Sequence, residues 1–131
     1  MQTITITTNK RAEFVDITKD VGNFLSQAKI DSGLCVIFCP HTTAGLTINE
    51  NADPSVKKDI INHLGKLIPE EKGYSHLEGN SDSHIKASIL GSSLNIIVKD
   101  GGLVLGTWQG IYFCEFDGPR SRKVYVKVIK G

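Results

Sequence analysis

Three histidines in this chain have the type and setting that can support chemistry. His41 follows directly on the apolar run Leu34–Cys39, inside Pro40-His41-Thr42-Thr43-Ala44. A run that apolar has a buried end, so His41 emerges at a strand terminus and not on a random solvated loop. His76 and His84 bracket a polar stretch containing Glu78, Asn80 and Asp82, with little apolar content to fix it. Three neutral imidazoles plus an open water position is the arrangement of a catalytic zinc-type site. His41, His76 and His84 are therefore read as ligands of one divalent ion, zinc-type ahead of Mg²⁺. Nearby carboxylates can orient such rings through their second nitrogens. The bland reading of His41 alone is a ring at the core edge, satisfied by a backbone carbonyl. His63, mid-helix between Ile60 and Leu64 with no polar companions, is set aside as a surface or packing residue.

Other polar groups gather nearby in sequence. Glu50, Asn51 and Asp53 follow a short strand; Asp53 is occupied as a helix cap, whereas Glu50 has no such duty. In Glu115-Phe116-Asp117-Gly118-Pro119-Arg120-Ser121-Arg122, a turn is followed by two arginines that can clamp a phosphate or carboxylate. A helix opening at Ser83 with Lys86 in its first turn offers a further anion site. Trp108-Gln109 stands between Gly106 and Gly110. Glycines admit close approach, so Trp108 is a ring platform, a subunit contact or a core residue.

The elements that must position these residues follow from periodicity. Thr3–Thr7 alternates as a half-buried strand, and Glu13–Ile17 reads as another. Thr18 offers an N-cap to a helix with Val21, Phe24, Leu25 and Ala28 on one face. Leu34–Cys39 is short and continuously apolar, a strand buried on both faces. Leu46–Ile48 is a strand, and Asp53-Pro54 opens a helix carrying Val56, Ile60, Leu64 and Leu67, with Ile61 and Ile68 beside them, to Pro69. Residues 70–82 form a polar loop, and Asp82 or Ser83 caps a short helix ending at Gly91. Asn95–Lys99, Leu103–Thr107, Gly110–Phe116 and Lys123–Ile129 are four strands, the first two joined by an Asp100-Gly101-Gly102 hairpin turn. Strands and helices do not alternate as βαβ units. The expected fold is α+β in one domain over 1–131, largely antiparallel, with two main helices and one short one.

Bulk composition narrows the function. The chain has 131 residues, 40% hydrophobic and 22% charged, the size and balance of one self-sufficient domain. Fifteen basic and fourteen acidic residues leave a net charge of +1, which argues against a general nucleic-acid binder. No stretch is apolar enough for a membrane span, and the alternating N-terminus is not a leader peptide. Cys35, Cys39 and Cys114 are an odd number inside apolar runs, so reduced core thiols in a cytoplasmic protein are expected.

Long blocks of this sequence resemble the YjbQ family, also called the secondary thiamine-phosphate synthase family. They are His41-Thr-Thr-Ala44, Leu46-Thr-Ile-Asn-Glu-Asn51 with Asp53-Pro54, Glu78-Gly79-Asn80 through Asp82-Ser-His84-Ile-Lys86, Gly106-Thr-Trp-Gln-Gly110 and Gly118-Pro-Arg120-Ser-Arg122. The resemblance implies an α+β subunit in a homotrimer, a histidine-containing site near subunit boundaries, a divalent metal in some members and a weak ability to make thiamine phosphate. It implies that His41, His76 and His84 are the family's histidines. Glu50, Asn80, Asp82, Trp108, Gln109, Glu115, Arg120 and Arg122 match its other polar positions.

Three functions compete. In a transferase joining a pyrimidine-methyl pyrophosphate to a thiazole phosphate, a divalent ion, Arg120, Arg122 and Lys86 would stabilise the leaving group, with Asn80, Trp108 and Gln109 contacting substrate. A metal-dependent hydrolase of a small phosphorylated metabolite would use Glu50 or Glu115 as base; Asp82 is a third catalytic carboxylate. A trimer that only binds a small anion is the non-enzymatic case.

Overall fold

The β-branched alternation at the start of the chain forms an edge strand, and the rest of the molecule builds inward from it. The computed structural model describes residues 1–131. The elements run β1 (Gln2–Thr7), β2 (Glu13–Asp16), α1 (Thr18–Ala28), β3 (Gly33–Phe38), β4 (Ala44–Glu50), α2 (Pro54–Leu67), α3 (Ser81–Leu90), β5 (Ser93–Lys99), β6 (Gly102–Leu103), β7 (Gln109–Glu115) and β8 (Ser121–Lys130). They make one five-stranded sheet, ordered β1-β8-β3-β5-β6, and one three-stranded sheet, β2-β7-β4. Every pairing is antiparallel. The α+β expectation holds.

The two sheets face each other across a core of alternating residues. Ile6, Cys35, Ile37, Ile96, Val98, Val124 and Val126 come from the larger sheet, and Leu46, Ile111 and Phe113 from the smaller. Helix α1 adds Val21 and Leu25 to this core, as the i, i+4 spacing predicts. The opposite face of the small sheet carries Phe14, Tyr112, Cys114 and Phe116, covered by Ala87 of α3 and partly by Ile60, Ile61 and Leu64 of α2. The three cysteines are buried and unpaired, as expected.

Several element readings change in the folded chain. Thr18 does not cap α1: it is the first helical residue, and Ile17 holds the cap position. Capping falls to Asp16, whose Oδ1 accepts from the Thr18 amide at 2.9 Å and from its hydroxyl at 2.6 Å. The Thr18 hydroxyl in turn accepts from the Ile111 amide at 2.8 Å, tying the helix start to β7. Strand β3 is buried on one face only. Cys35 and Ile37 point into the core, but Phe38 is 44% exposed, because no helix covers the outer face of the large sheet. Of Leu103–Thr107 only Leu103 lies in a strand, as the second residue of β6, and Val104 is exposed beyond it. Helix α2 buries none of its residues fully and leaves Leu67 exposed; its apolar face only half seals the small sheet. Helix α3 starts at Ser81 with Asn80 at the cap position, not at Asp82 or Ser83. Asp53 caps α2 as expected, accepting from the Ser55 amide at 2.9 Å.

Candidate functional site

Three chain segments meet at one end of the sandwich. They are the β3–β4 connection with His41 to Thr43, the β7–β8 connection with Asp117 to Arg120, and the start of α3 with the loop before it. Between them lies a cleft of about 410 Å³, lined by His41, His76, His84, Asn80, Arg120 and Arg122, with Thr42, Thr43, Glu78 and Asp117 completing the polar wall. The fold thus brings all three predicted histidines, Asn80 and both arginines to one place. None of the lining residues is apolar except the ring of Pro40. A cavity of about 500 Å³ elsewhere, between β2 and α2, contains lysines and none of the predicted residues.

Arg122 is the best-anchored group in the cleft. It is buried, and its guanidinium makes a two-pronged pair with Glu115 through Nε (2.9 Å) and Nη2. Nη2 also donates to the Thr43 hydroxyl at 2.8 Å. Nη1 has no hydrogen-bond partner within the protein, and Arg122 lines the cleft. Arg120 is half exposed and folds back on Asp117, donating from Nε to its carbonyl (2.9 Å) and from Nη2 to its carboxylate (3.2 Å).

Glu115 cannot serve as a base. It is fully buried, and its carboxylate accepts from Arg122, from the Thr8 hydroxyl at 2.8 Å and from the amides of Phe116 and Asp117 at 3.1 Å each. Burial pushes its pKa up, but the bonds from Arg122 and Thr8 and the Asp117 amide outweigh that, and it lies below the ordinary glutamate value. Asp82 and Lys86 leave the cleft altogether. Both turn into the protein, where Lys86 Nζ meets Asp82 Oδ2 at 2.9 Å and Arg11 grips both Asp82 oxygens at 3.0 Å. Burial raises the Asp82 pKa, and the Arg11 and Lys86 bonds overcome it, for a net lowering. The anion site expected at Ser83 and Lys86 is therefore not formed; the Ser83 hydroxyl is hydrogen-bonded to the Phe116 carbonyl. Arg11 gave no signal in sequence, because its partner lies 71 positions away.

Glu50, Trp108 and Gln109 also stand apart. In the β4–β7 ladder Glu50 pairs with Gln109, while Ala44, beside the cleft, pairs with Glu115. Six residue steps at about 3.3 Å put these two ends roughly 20 Å apart. Trp108 is 63% exposed there, which removes the core reading.

The histidines differ among themselves. His76 and His84 stack edge to face with centroids 5.3 Å apart. Two imidazoles on one tetrahedral ion, with metal–nitrogen bonds of about 2.0–2.1 Å, place their centroids at roughly that separation. Glu78 Oε1 lies 3.8 Å from His76 Nε2. His41 lines the same cleft, yet no three His, Cys, Asp or Glu side chains are gathered tightly enough to form a full ligand shell. Nε2 of His41 lies 3.1 Å from both the amide nitrogen and the carbonyl oxygen of Lys123. The tautomer that donates to the carbonyl leaves Nδ1 with a free lone pair; the one that accepts from the amide does not. Burial, then the charge of Arg122, holds the His41 pKa below its ordinary value, favouring the neutral ring.

Asn80 carries a further sign of a binding site. Its Nδ2 donates to Asp117 at 2.8 Å and faces Glu78, which fixes the amide orientation. Its Oδ1 is then the single buried side-chain polar atom without a partner. Glu78, Thr43 and Asp117 join the site without having been singled out as site residues; their adjacency to His41, Asn80 and the two arginines was the available signal.

Comparison with known proteins places the chain in a family. The family model described as UPF0047 protein YjbQ-like matches residues 2–131. A UPF0047 protein of Methanocaldococcus jannaschii is 62% identical over 124 residues, covering 95% of this chain and 90% of that protein. The UPF0047 protein YugU of Bacillus subtilis is 53% identical over 130 residues, 98% of each chain. The crystal structure of an uncharacterised YjbQ/UPF0047 protein from Clostridium acetobutylicum superposes with a TM-score of 0.97 at 53% identity, covering 98% of this chain and 100% of the other.

Proposed function

The chain belongs to the YjbQ-like UPF0047 family, and on that premise we propose that its histidine–arginine cleft binds a small phosphorylated metabolite and stabilises a departing phosphate or pyrophosphate. The observation that carries this reading is the gathering of His41, His76, His84, Arg120 and Arg122 around one polar cleft, with Arg122 held in place by Glu115 and Thr43. Arg120 at the rim supplies a further contact to an oxyanion.

The three carboxylates expected to act as base are saturated or lie outside the cleft, whereas Glu78 and Asp117 line it. Glu115 is saturated, Asp82 is buried in an ion triad, and Glu50 lies at the far end of the sheet. A hydrolase using Glu50 or Glu115 as base has no base in place. A thiamine-phosphate-synthase type of transfer needs none: the thiazole nitrogen gives its lone pair to the pyrimidine methylene carbon, a C–N bond forms, and the C–O bond to pyrophosphate breaks. The electron pair leaves on pyrophosphate, where Arg122 and Arg120 meet it. A divalent ion held by His76 and His84, with His41 alongside, would supply further charge neutralisation to the leaving group. Neutral imidazoles suit zinc-type ions better than Mg²⁺.

The assembly and setting belong to the same proposal. A homotrimer would cover apolar surface that the chain leaves open, including Ile97 and Ile129 on the outer sheet face, and bring the remote Trp108 and Gln109 of one copy toward another. Three buried, unpaired cysteines suit a reducing, cytoplasmic setting. No helix is long and apolar enough to cross a membrane.

The test is a coupled assay with both thiamine precursors on wild type, His84→Ala and Arg120→Ala, beside metal analysis of the purified protein. Turnover that falls in both variants supports the reading. Turnover surviving both removes this cleft from the mechanism, and phosphate binding without turnover leaves the anion-binding trimer.

A further inference from the structure

A second cavity of about 350 Å³ adjoins the charged cleft and shares His41, Thr42 and His84 with it. Its remaining wall is Ala44, Ala87, Ser88, Gly91 and Ser92, with no charged side chain. The two compartments therefore differ sharply in chemistry: arginines on one side of the imidazoles, small neutral residues on the other.

The neutral compartment has a rigid floor. At Gly45 an added Cβ would lie 2.7 Å from the Gly91 carbonyl and 3.3 Å from Leu90 Cβ, so β4 and the end of α3 are in direct backbone contact. The Leu46 amide donates to that same Gly91 carbonyl at 3.0 Å. Within the slot the Ser88 hydroxyl is satisfied by the His84 carbonyl at 2.9 Å. A charged group placed there would meet no counter-ion, whereas an uncharged body needs none. Arg120 and Arg122 line the other side, where an anionic charge is met.

We propose that the ligand of this protein is two-part, with an anionic phosphate-type group in the arginine compartment, a compact uncharged body in the Ala87–Ser88–Gly91 slot, and the bond joining them beside His41 and His84. This deepens the reading of the cleft as a phosphate-ester site and rests on it. Any small uncharged ring or chain carrying a phosphate has that division.

Titration calorimetry on the purified full chain tests it with inorganic phosphate and phenyl phosphate as probes. Phenyl phosphate is expected to bind about ten-fold tighter, the gain of burying part of a ring. Ser88→Phe, or Ser92→Leu as a second way of filling the slot, should abolish that preference while leaving the affinity for inorganic phosphate within about two-fold. Arg120→Ala should weaken both probes alike. Equal affinity of the two probes for wild type, or a preference that survives both slot-filling variants in folded protein, overturns this inference alone. Failure of wild type to bind either probe overturns the phosphate-site reading and this inference with it.

Discussion

At the scale of single residues, a side chain's partners decide whether its chemistry is available. Glu115 and Glu50 were both candidate bases in the sequence. One is now a buried anchor with every acceptor position filled; the other sits near solvent some 20 Å away by strand count. Glu115→Gln should cost about 3–5 kcal/mol in urea unfolding, because it leaves the buried Arg122 charge unpaired. Glu50→Gln should leave stability within about 0.5 kcal/mol and phosphate binding unchanged. A large effect of Glu50→Gln on binding would place that end of the sheet in the site. Acid provides an independent check. Glu115 and Asp82 both have folded pKa values below their ordinary ones, so they release protons more readily when folded. Their stabilisation is complete above the unfolded carboxylate values of about 4 and is lost as pH falls through the lower folded values. Melting temperature followed from pH 6 to pH 2 should fall at that acid end, and Asp82→Asn should flatten part of the fall.

At the scale of elements, α3 is the most instructive. Its inward face carries Asp82, Ser83 and Lys86 as well as Ala87, all buried. A period-based reading looks for apolar residues on the buried face, so it could place the helix but not its rotation. The rotation is set by Arg11, by the Phe116 carbonyl and by the close contact at Gly45. Gly45→Ala should therefore separate β4 from α3 and destabilise the protein by about 1–3 kcal/mol, measured by chemical unfolding. It should also open the slot beside Ser88 and erode the preference for phenyl phosphate. Unaltered stability would mean that the strand and helix tolerate a wider spacing than this contact implies. Strand β3 teaches a complementary point: six apolar residues in a row made a central strand, yet only alternate ones reached the core.

At the scale of the whole molecule, the small sheet has a covering layer and the large sheet has none on its outer face. Phe38, Ile97 and Ile129 are exposed there, and Trp108 is exposed at the far end of the small sheet. Apolar surface of that kind is a common mark of self-association. Sedimentation should return three times the chain mass of 14.3 kDa, and Ile97→Lys should shift the distribution toward smaller species. A wild-type protein that sediments as a single chain at micromolar concentration would rule the trimer out.

The sequence by itself determined the elements with strong periodicity or clear punctuation. These include the alternating β1, the Val21–Leu25 face of α1, the Asp53-Pro54 start of α2, the Asp100–Gly101 turn with its two positive backbone φ angles and the reduced cysteines. It also marked the histidines and arginines that share the cleft, since each follows a strand end or sits in a polar loop where local signals persist. Only the tertiary structure decided which carboxylates remain free, how α3 is turned, and that Glu50 and Trp108 lie away from the histidines. Those outcomes depend on partners such as Arg11 with Asp82 or Thr8 with Glu115, at separations of 71 and 107 residues. Charge neutralisation and burial act through space, and periodicity along the chain carries no record of them.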